Sequence, residues 1–468
     1  MKYRYREPHE MKDSGVEWLG MIPKDWEVKK IKRLVREVKG GVWGEDARKD
    51  SNDVPCIRIT NFNRTKNIID IEDLTIRNLD YLKQKDFLLQ NGDLLIEKSG
   101  GGERQPVGFT CIYNSDLKAI YANFIARVRV KKNIYSPYIN FLFSVLYSKK
   151  INLRAFNQTT GIQNLSIDKY FDEIVMIPLF STQQKIADFL DKKCEEFDSV
   201  IAKKEMLINK LEEAKKSLIS EVVTGKVKVI QKENGEYGII KREDHEMKDS
   251  GVEWLGMIPK EWEMYRMKDL ASKEKYSFVD GPFGSDLKNE DYVEKGIPLI
   301  QLNNIKNGSH IFNKMNFISE RKFETLKKHS ANPGEIVFAK MAEPVARCCK
   351  VSDSYQKYVI VADCIKLKPK DGFEVDYLIY LINDESIKSQ AEKISNGTTR
   401  IRINLSNLKE LKLFLPAYLE QKLLKIFLDK RCTQFDSTIE KQKEIIEKLK
   451  SAKQSLISEV VTGKIEVL

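Results

Sequence analysis

The chain is poor in the residues that build catalytic centres. Of its 468 residues only four are histidine, His9, His245, His310 and His329, and they are scattered. The seven cysteines (Cys56, Cys111, Cys194, Cys348, Cys349, Cys364 and Cys432) are odd in number and form no CxxC pair. Neither a disulfide framework nor a zinc ribbon is therefore expected, and no metal site is. No run of 18 apolar residues occurs, and the opening MKYRYREPHEMKD lacks an apolar leader core. The expectation is a soluble, cytoplasmic protein. A GxxxxGK(S/T) phosphate loop is missing, since both Thr-Gly-Lys triplets lack the upstream glycine. An Asn-Pro-Pro-aromatic methyltransferase motif is missing too. Asp93, Glu97 and Lys98 hint at a nuclease carboxylate set, but Glu97 and Lys98 are neighbours and on a strand point to opposite faces. No catalytic residue is predicted.

What the chain has is repetition. Residues 189–227, FLDKKCEEFDSVIAKKEMLINKLEEAKKSLISEVVTGKV, return without a gap as residues 427–465, FLDKRCTQFDSTIEKQKEIIEKLKSAKQSLISEVVTGKI. Alternating steps of four and three select Leu190, Cys194, Phe197, Ile201, Lys204, Ile208, Leu211, Lys215, Leu218 and Val222. In the second copy they select Leu428, Cys432, Phe435, Ile439, Gln442, Ile446, Leu449, Lys453, Leu456 and Val460. The polar breaks fall at the same two places. A period of 3.5 residues held this long predicts a coiled-coil seam on each helix. Gly225 and Gly463 stand where a left-handed C-cap belongs. Two matched copies in one chain can pair with each other, and a whole domain between them permits either orientation.

A second repeat precedes each half: MKDSGVEWLGMIPKDWEV at 11–28 and MKDSGVEWLGMIPKEWEM at 247–264. It holds four of the five tryptophans, Trp18, Trp26, Trp254 and Trp262, and is expected to dock the start of each domain onto the helices. The inserts between the repeats match in length but hardly in sequence. Ordered correspondences remain, such as VPCIRITNF (54–62) with IPLIQLNNI (297–305) and NGDLLIEK (91–98) with PGEIVFAK (333–340). NLSIDKYFDEIVMIPL (164–179) likewise aligns with NLSNLKELKLFLPA (404–417). Both inserts are thus predicted to share a mixed fold. Strands are expected at 94–97, 109–113, 124–130, 335–338 and 359–367, helices at 138–149 and 377–387, and a linker at 228–246. Lys and Arg number 80 against 69 acids, a net charge of +11, and the two helical repeats carry little of it. A basic excess outside the helices suits a polyanion partner.

This pattern resembles the specificity subunit of type I restriction–modification enzymes. The resemblance covers the chain after residue 10 and rests on SGVEWLGMIPKDWEV, the SLISEVVTGK helix ends and the variable inserts. GGVWG (40–44) and DLLIEKSGGGERQPVG (93–108) fit a target recognition domain in the first half. DGPFGSDLK (280–288) and SNGTTRIRINLS (395–406) fit one in the second. The resemblance implies an α+β protein: two mixed α/β target recognition domains separated by two long helices that form an intramolecular antiparallel coiled coil, with pseudo-two-fold symmetry. The expected boundaries are 1–28 for the first repeat segment, 29–181 for domain 1 and 182–227 for the central helix. The linker and second segment then take 228–264, domain 2 takes 265–419, and the last helix 420–468. The resemblance further implies that each domain reads half of a split double-stranded DNA site. The helices set the gap and dock two methyltransferase subunits, and restriction subunits join. No cofactor is expected in this chain; S-adenosylmethionine, ATP and Mg2+ are expected on the partners. The competing reading is a coiled-coil DNA-binding adaptor or regulator that works without methyltransferases.

The candidate DNA-reading residues are polar side chains and glycines in the inserts. Gly100, Gly101 and Gly102 let the backbone approach a phosphate or groove edge. Beside them, Lys98 and Arg104 suit phosphate or guanine, Gln105 adenine and Glu103 cytosine, with Ser99 between. Thr159, Thr160, Gln163 and Asn164 form a second stretch, with Thr398, Thr399, Arg400, Arg402 and Asn404 as its counterpart in domain 2. Asn61 and Asn63, with Gln301, Asn303 and Asn304, follow buried strands; ordinary loop capping explains such amides about as well. Gly284, Ser285, Lys288 and Lys340 complete the set.

Overall fold

The structure, a computed structural model, describes residues 2–102, 105–159, 162–252, 255–341, 344–395 and 401–468. It divides into two compact units, Met1–Met206 with Lys443–Leu468, and Leu207–Gln442.

In the first unit a six-stranded sheet runs in the order Val35–Gly40, Ile125–Val130, Asp93–Glu97, Thr110–Tyr113, Ile68–Ile69, Phe62–Asn63. A four-stranded sheet runs Ile120–Tyr121, Asp53–Ile57, Thr75–Asn78, Glu45–Asp46. The central strand is apolar on both faces because both are covered. Leu94 and Ile96 face a core shared with Tyr138 and Leu142 of the helix Ser136–Ser148. Leu95 faces a second core with Cys56, Cys111 and Tyr121. A strand buried on both sides loses the polar–apolar alternation, which is why DLLIE reads as an unbroken run.

The second unit repeats this plan. Its four-stranded sheet runs Phe278–Asp280, Cys364–Leu367, Ile336–Ala339, Cys348–Lys350. Beside it lies a five-stranded sheet in which Ile297–Ile300 pairs in parallel with Tyr358–Ile360. That pairing matches the parallel pair of Asp53–Ile57 and Ile120–Tyr121 in the first unit. Ile336 and Phe338 again face one core, and Val337 and Ala339 the other. The two inserts therefore share a fold.

Three expectations need correction. The strand expected over 359–367 is two strands, Tyr358–Ile360 and Cys364–Leu367, which serve different sheets. The helix expected over 377–387 is also two, Val375–Ile382 and Glu385–Lys393, because Asp384 caps the second through the Ser386 N–H. The polar linker is a hairpin, Val227–Gln231 against Tyr237–Lys241, with Val227 and Val229 in the core. In the first unit the same ladder is made by the ends of the chain, Tyr3–Tyr5 against Ile465–Val467.

The long helices span Phe180–Val223 and Tyr418–Val461. Their seams are largely buried, at Leu190 and Val460 in the first unit and at Ile208, Val222, Leu428 and Ile439 in the second. Each unit holds one end of this pairing. In the first, the Lys453 ammonium donates to Asp198 at 2.7 and 2.8 Å. In the second, Lys215 donates to Asp436 at 2.6 and 2.7 Å. Within the first unit Leu190 shares a core with Val460 and Val461 while Asp198, further along, meets Lys453, so the helices pair antiparallel there. Both lysines are polar breaks of the predicted seam.

Gly225 and Gly463 adopt φ of 73° and 75°. A Cβ on Gly225 would stand 2.4 Å from the Pro259 ring, and one on Gly463 2.4 Å from the Pro23 ring. Trp262 and Trp26, both buried, close over these caps. The tryptophan segments therefore dock onto helix ends, as their composition suggested. All seven cysteines are free thiols. No helix among the described residues is long and apolar enough to cross a membrane.

Candidate nucleic-acid interface

In the first domain the chain leaves the Asp93–Glu97 strand at Lys98. The Lys98 N–H donates to the Phe124 carbonyl at 2.8 Å, and its carbonyl accepts from the Leu165 N–H at 2.8 Å. Ser99 bridges Asn164, and its Oγ donates to Asn164 Oδ1 at 2.5 Å. The Gly100 N–H, at φ 109°, donates to the Gln163 carbonyl at 3.1 Å. Gly101 is required by close approach: a Cβ there would lie 2.6 Å from the Val107 nitrogen. Gly102 and Gln105 exchange backbone hydrogen bonds of 3.0 and 3.2 Å. The glycines thus bring residues 98–102 and 163–164 together on one edge. The Lys98 ammonium has no carboxylate partner among the described residues and sits 3.5 Å from where a Gly40 Cβ would be.

The second domain builds the same junction from other residues. The Lys340 N–H donates to the Asp363 carbonyl at 2.9 Å, and the Ile403 N–H to the Lys340 carbonyl at 3.1 Å. Met341 bridges Arg402. Lys340 is therefore the equivalent of Lys98, and Arg402 of Asn164. The sequence alignment on Asn-Leu-Ser had instead set Asn404 against Asn164. Lys340 also departs from expectation: it is buried and ion-paired to Asp280 at 2.7 Å, where domain 1 has Gly40. Its charge is balanced by that partly exposed carboxylate. Arg402 is half exposed, with its guanidinium 3.7 Å from Asp363.

Several predicted amides turn out to be structural. Asn61 and Asn304 are buried equivalents that lock a turn. The Arg58 N–H donates to Asn61 Oδ1 at 2.9 Å, and the Asn61 amide donates to the Asp73 carbonyl at 3.0 Å. Gln301 N–H donates to Asn304 Oδ1, and the Asn304 amide to the Ile311 carbonyl, both at 2.9 Å. Asn404 caps the helix Leu405–Glu410 by accepting from the Asn407 N–H at 2.7 Å. Burial removes the first two from solvent, and capping occupies the carbonyl oxygen of the third.

The remaining candidates are placed as follows. Asn63 is half-buried and accepts from the Lys66 N–H. Asn303 is exposed and donates to Asn313. Gln301 is half-buried and accepts from the Asn316 amide. Gly284, Ser285, Gln105 and Lys288 are exposed, with the Lys288 ammonium 3.5 Å from Glu290. Ser99 and Gln163 are buried. Thr159 ends the strand Phe156–Thr159. Glu103, Arg104, Thr160, Thr398, Thr399 and Arg400 lie outside the described residues.

The carboxylates of the weak nuclease hint are held in ion pairs. Asp93 accepts from Arg129 at 2.7 and 3.0 Å, and Glu97 from Arg64 at 2.6 Å. Burial pushes the Glu97 carboxyl up against the pull of Arg64. No cluster among the described residues can hold a metal ion. Arg64 escaped the sequence reading. It lies 4.6 Å over the Phe109 ring, and only the fold brings residues 64, 97 and 109 together.

Two mixed domains on paired helices, each presenting a polar junction at one strand end, define a two-headed recognition scaffold. Residues 23–213 and 259–451 both match the type I restriction modification DNA specificity domain, so the chain belongs to that family and carries two copies of the domain. It is 22% identical to the type I restriction enzyme MjaVIII specificity subunit of Methanocaldococcus jannaschii, over 95% of this chain and 94% of that protein. It is 24% identical to the MjaIX specificity subunit of the same organism, over 99% and 98%. The fold matches a chain solved in a study of type I R-M complex assembly and conformational transition, with a TM-score of 0.69, 13% identity, and coverage of 95% and 99%. It also matches the HsdS subunit from Thermoanaerobacter tengcongensis, with a TM-score of 0.52, 14% identity, and coverage of 95% and 98%.

Proposed function

We propose that this chain is the non-catalytic DNA-reading subunit of a type I restriction–modification complex, and that each domain reads one half of a bipartite duplex site. The paired helices set the gap and dock two methyltransferase subunits, which carry S-adenosylmethionine. Restriction subunits add the ATP- and Mg2+-dependent steps. The observation that carries this reading is the pair of equivalent junctions with unlike side chains: Lys98, Asn164 and Gly40 against Lys340, Arg402 and Asp280. One frame holding different polar groups at matching places suits two readers of different sequences.

In domain 1 the reading groups are Lys98 and residues 99–105, with Thr159, Thr160, Gln163 and Asn164. In domain 2 they are Arg402, the stretch 398–400, Gly284, Ser285 and Lys288. Asn63, Gln301 and Asn303 belong to the flanks. Arg402 suits guanine O6 and N7, and Gln105 suits adenine N6 and N7. Lys98, with no carboxylate partner among the described residues, suits phosphate.

The test is to co-express the full chain with type I methyltransferase subunits and map N6-methyladenine across the host genome. A split motif with a fixed gap is expected. Methylation at one contiguous motif, or none with a co-purifying methyltransferase, would overturn the proposal.

A further inference from the structure

The loops GGVWG and DGPFG are not accounted for by the junctions. Both follow an edge strand of the sheet that carries the junction: Val35–Gly40 edges the six-stranded sheet of domain 1 and Phe278–Asp280 the four-stranded sheet of domain 2. Their anchors are the same. The Gly41 N–H donates to the Ile125 carbonyl, and the Gly281 N–H to the Cys364 carbonyl, each at 2.9 Å. Only glycine fits at either point. A Cβ on Gly41 would lie 2.2 Å from the Ala122 oxygen, and one on Gly281 1.9 Å from the Val361 oxygen. Two residues beyond each anchor stands an aromatic ring, Trp43 or Phe283.

Both rings face solvent. Phe283 is 81% exposed and Trp43 37%. A ring left in water forgoes the free energy that burial gives it, and here one stands at the matching site of each diverged domain, beside the junction. Trp43 is braced: the Arg77 guanidinium lies 4.4 Å from its ring, and Arg77 Nε donates to the Trp43 carbonyl at 3.2 Å. Arg77 is also paired to Asp46. The anchoring carbonyls, of Ile125 and Cys364, adjoin those of Phe124 and Asp363, which hold Lys98 and Lys340. The aromatic loop and the polar junction therefore flank the start of one shared strand, Ile125–Val130 or Cys364–Leu367, from its two sides. Lys98 and Arg402 belong to the junctions at that same strand end, and Lys288 follows Phe283 by five residues, cations that suit a polyanion.

We infer that Trp43 and Phe283 are DNA-contacting residues that press their rings into the groove of their respective half-sites, against a thymine methyl or a partly opened base step. This rests on the DNA-reading function proposed above. Apolar rings serve duplex recognition in both ways, and both are sequence-dependent.

The test uses the full chain assembled with its methyltransferase subunits. The probes are a duplex carrying the mapped methylation site and a scrambled duplex of equal length. Phe283→Ala is expected to weaken binding to the site duplex roughly tenfold, leave the scrambled duplex unchanged and spare the melting temperature. Phe283→Trp is expected to restore most of the loss. Tryptophan emission should fall as the site duplex is added, and Trp43→Phe should abolish most of that change. Equal binding of the site by wild type and Phe283→Ala overturns the inference while leaving the DNA-reading function intact. Unchanged DNA affinity with loss of methyltransferase subunits from the Phe283→Ala complex overturns it in favour of a protein contact. A wild-type complex that methylates no site overturns the proposed function, and this inference with it.

Discussion

At the scale of single residues, the two domains differ most in where their cations go. Lys98 has no carboxylate partner among the described residues, and Lys340 is ion-paired to Asp280. Replacing Lys98 with Ala should weaken binding to all duplexes alike and lower the salt slope by roughly one unit. Salt titration of binding to specific and scrambled duplexes measures this. The same change at Lys340 should leave the slope unaltered and cost stability, because it strands Asp280. His329 supplies a pH prediction. A carbonyl only accepts, so Nδ1 carries the proton it shares with the Asp280 oxygen at 2.6 Å. Burial holds the imidazole below its ordinary value of 6.5, as it does that of His310. A folded-state value below the unfolded one means that protons bind the unfolded chain more tightly. Stability is thus full above about pH 6.5 and falls as the pH drops below it. Urea unfolding between pH 8 and 5 should show domain 2 losing stability on acidification, and His329→Gln should remove part of that dependence, leaving the share of His310. These pairings were not legible in the sequence. Lys340 and Asp280 are 60 residues apart, and nothing local marks one lysine as neutralised and its counterpart as available. Asn61 and Asn304 invited the opposite error, since an amide after a strand has the composition of either a reader or a cap.

At the scale of elements, the helices were the most legible feature and the short strands the least. A seam is written every 3.5 residues along one segment, so it survives without knowledge of a partner. Each unit then sets an ion pair at a polar break of that seam, Lys453 with Asp198 in the first and Lys215 with Asp436 in the second. The first is the more buried of the two, and Lys453 also donates to the Thr65 carbonyl at 3.2 Å. Asp198→Lys, which sets two ammonium groups face to face, should cost about 1–2 kcal/mol, and the reversed pair with Lys453→Asp should recover part of it. A double-mutant cycle on chemical unfolding measures the coupling; no coupling would mean that the seam alone sets the register. Lengthening both helices by seven residues, after Lys204 and after Ile446, keeps the heptad phase and adds about 10 Å. Methylated sites selected from a random-spacer library should then carry a gap about three base pairs longer, since a strand rises about 3.4 Å per base pair. The hairpin at 227–241 was missed because its alternation is short and its polar face resembles a linker. Its counterpart at the two ends of the chain pairs residues more than 450 positions apart, a separation that no local pattern reports.

At the scale of the whole chain, duplication is the organising fact. The helices and tryptophan segments are nearly copied, while the inserted domains keep a fold and exchange its polar groups. The frame was legible because it is repeated almost letter for letter. The readers were legible only in part, because their likeness is one of hydrogen-bonded position: Arg402 answers to Asn164 although the sequences align Asn404 there. The central claim is that each domain reads its own half-site independently. It is tested most directly by selecting methylated duplexes from a library randomised in both halves, using wild type, Gln105→Ala and Arg402→Ala in the full complex. Discrimination should fall by about 1–3 kcal/mol at one position of one half for Gln105→Ala, and of the other half for Arg402→Ala, with the gap unchanged in both. Relaxation of the same half by both variants, or of both halves by either, would contradict the account.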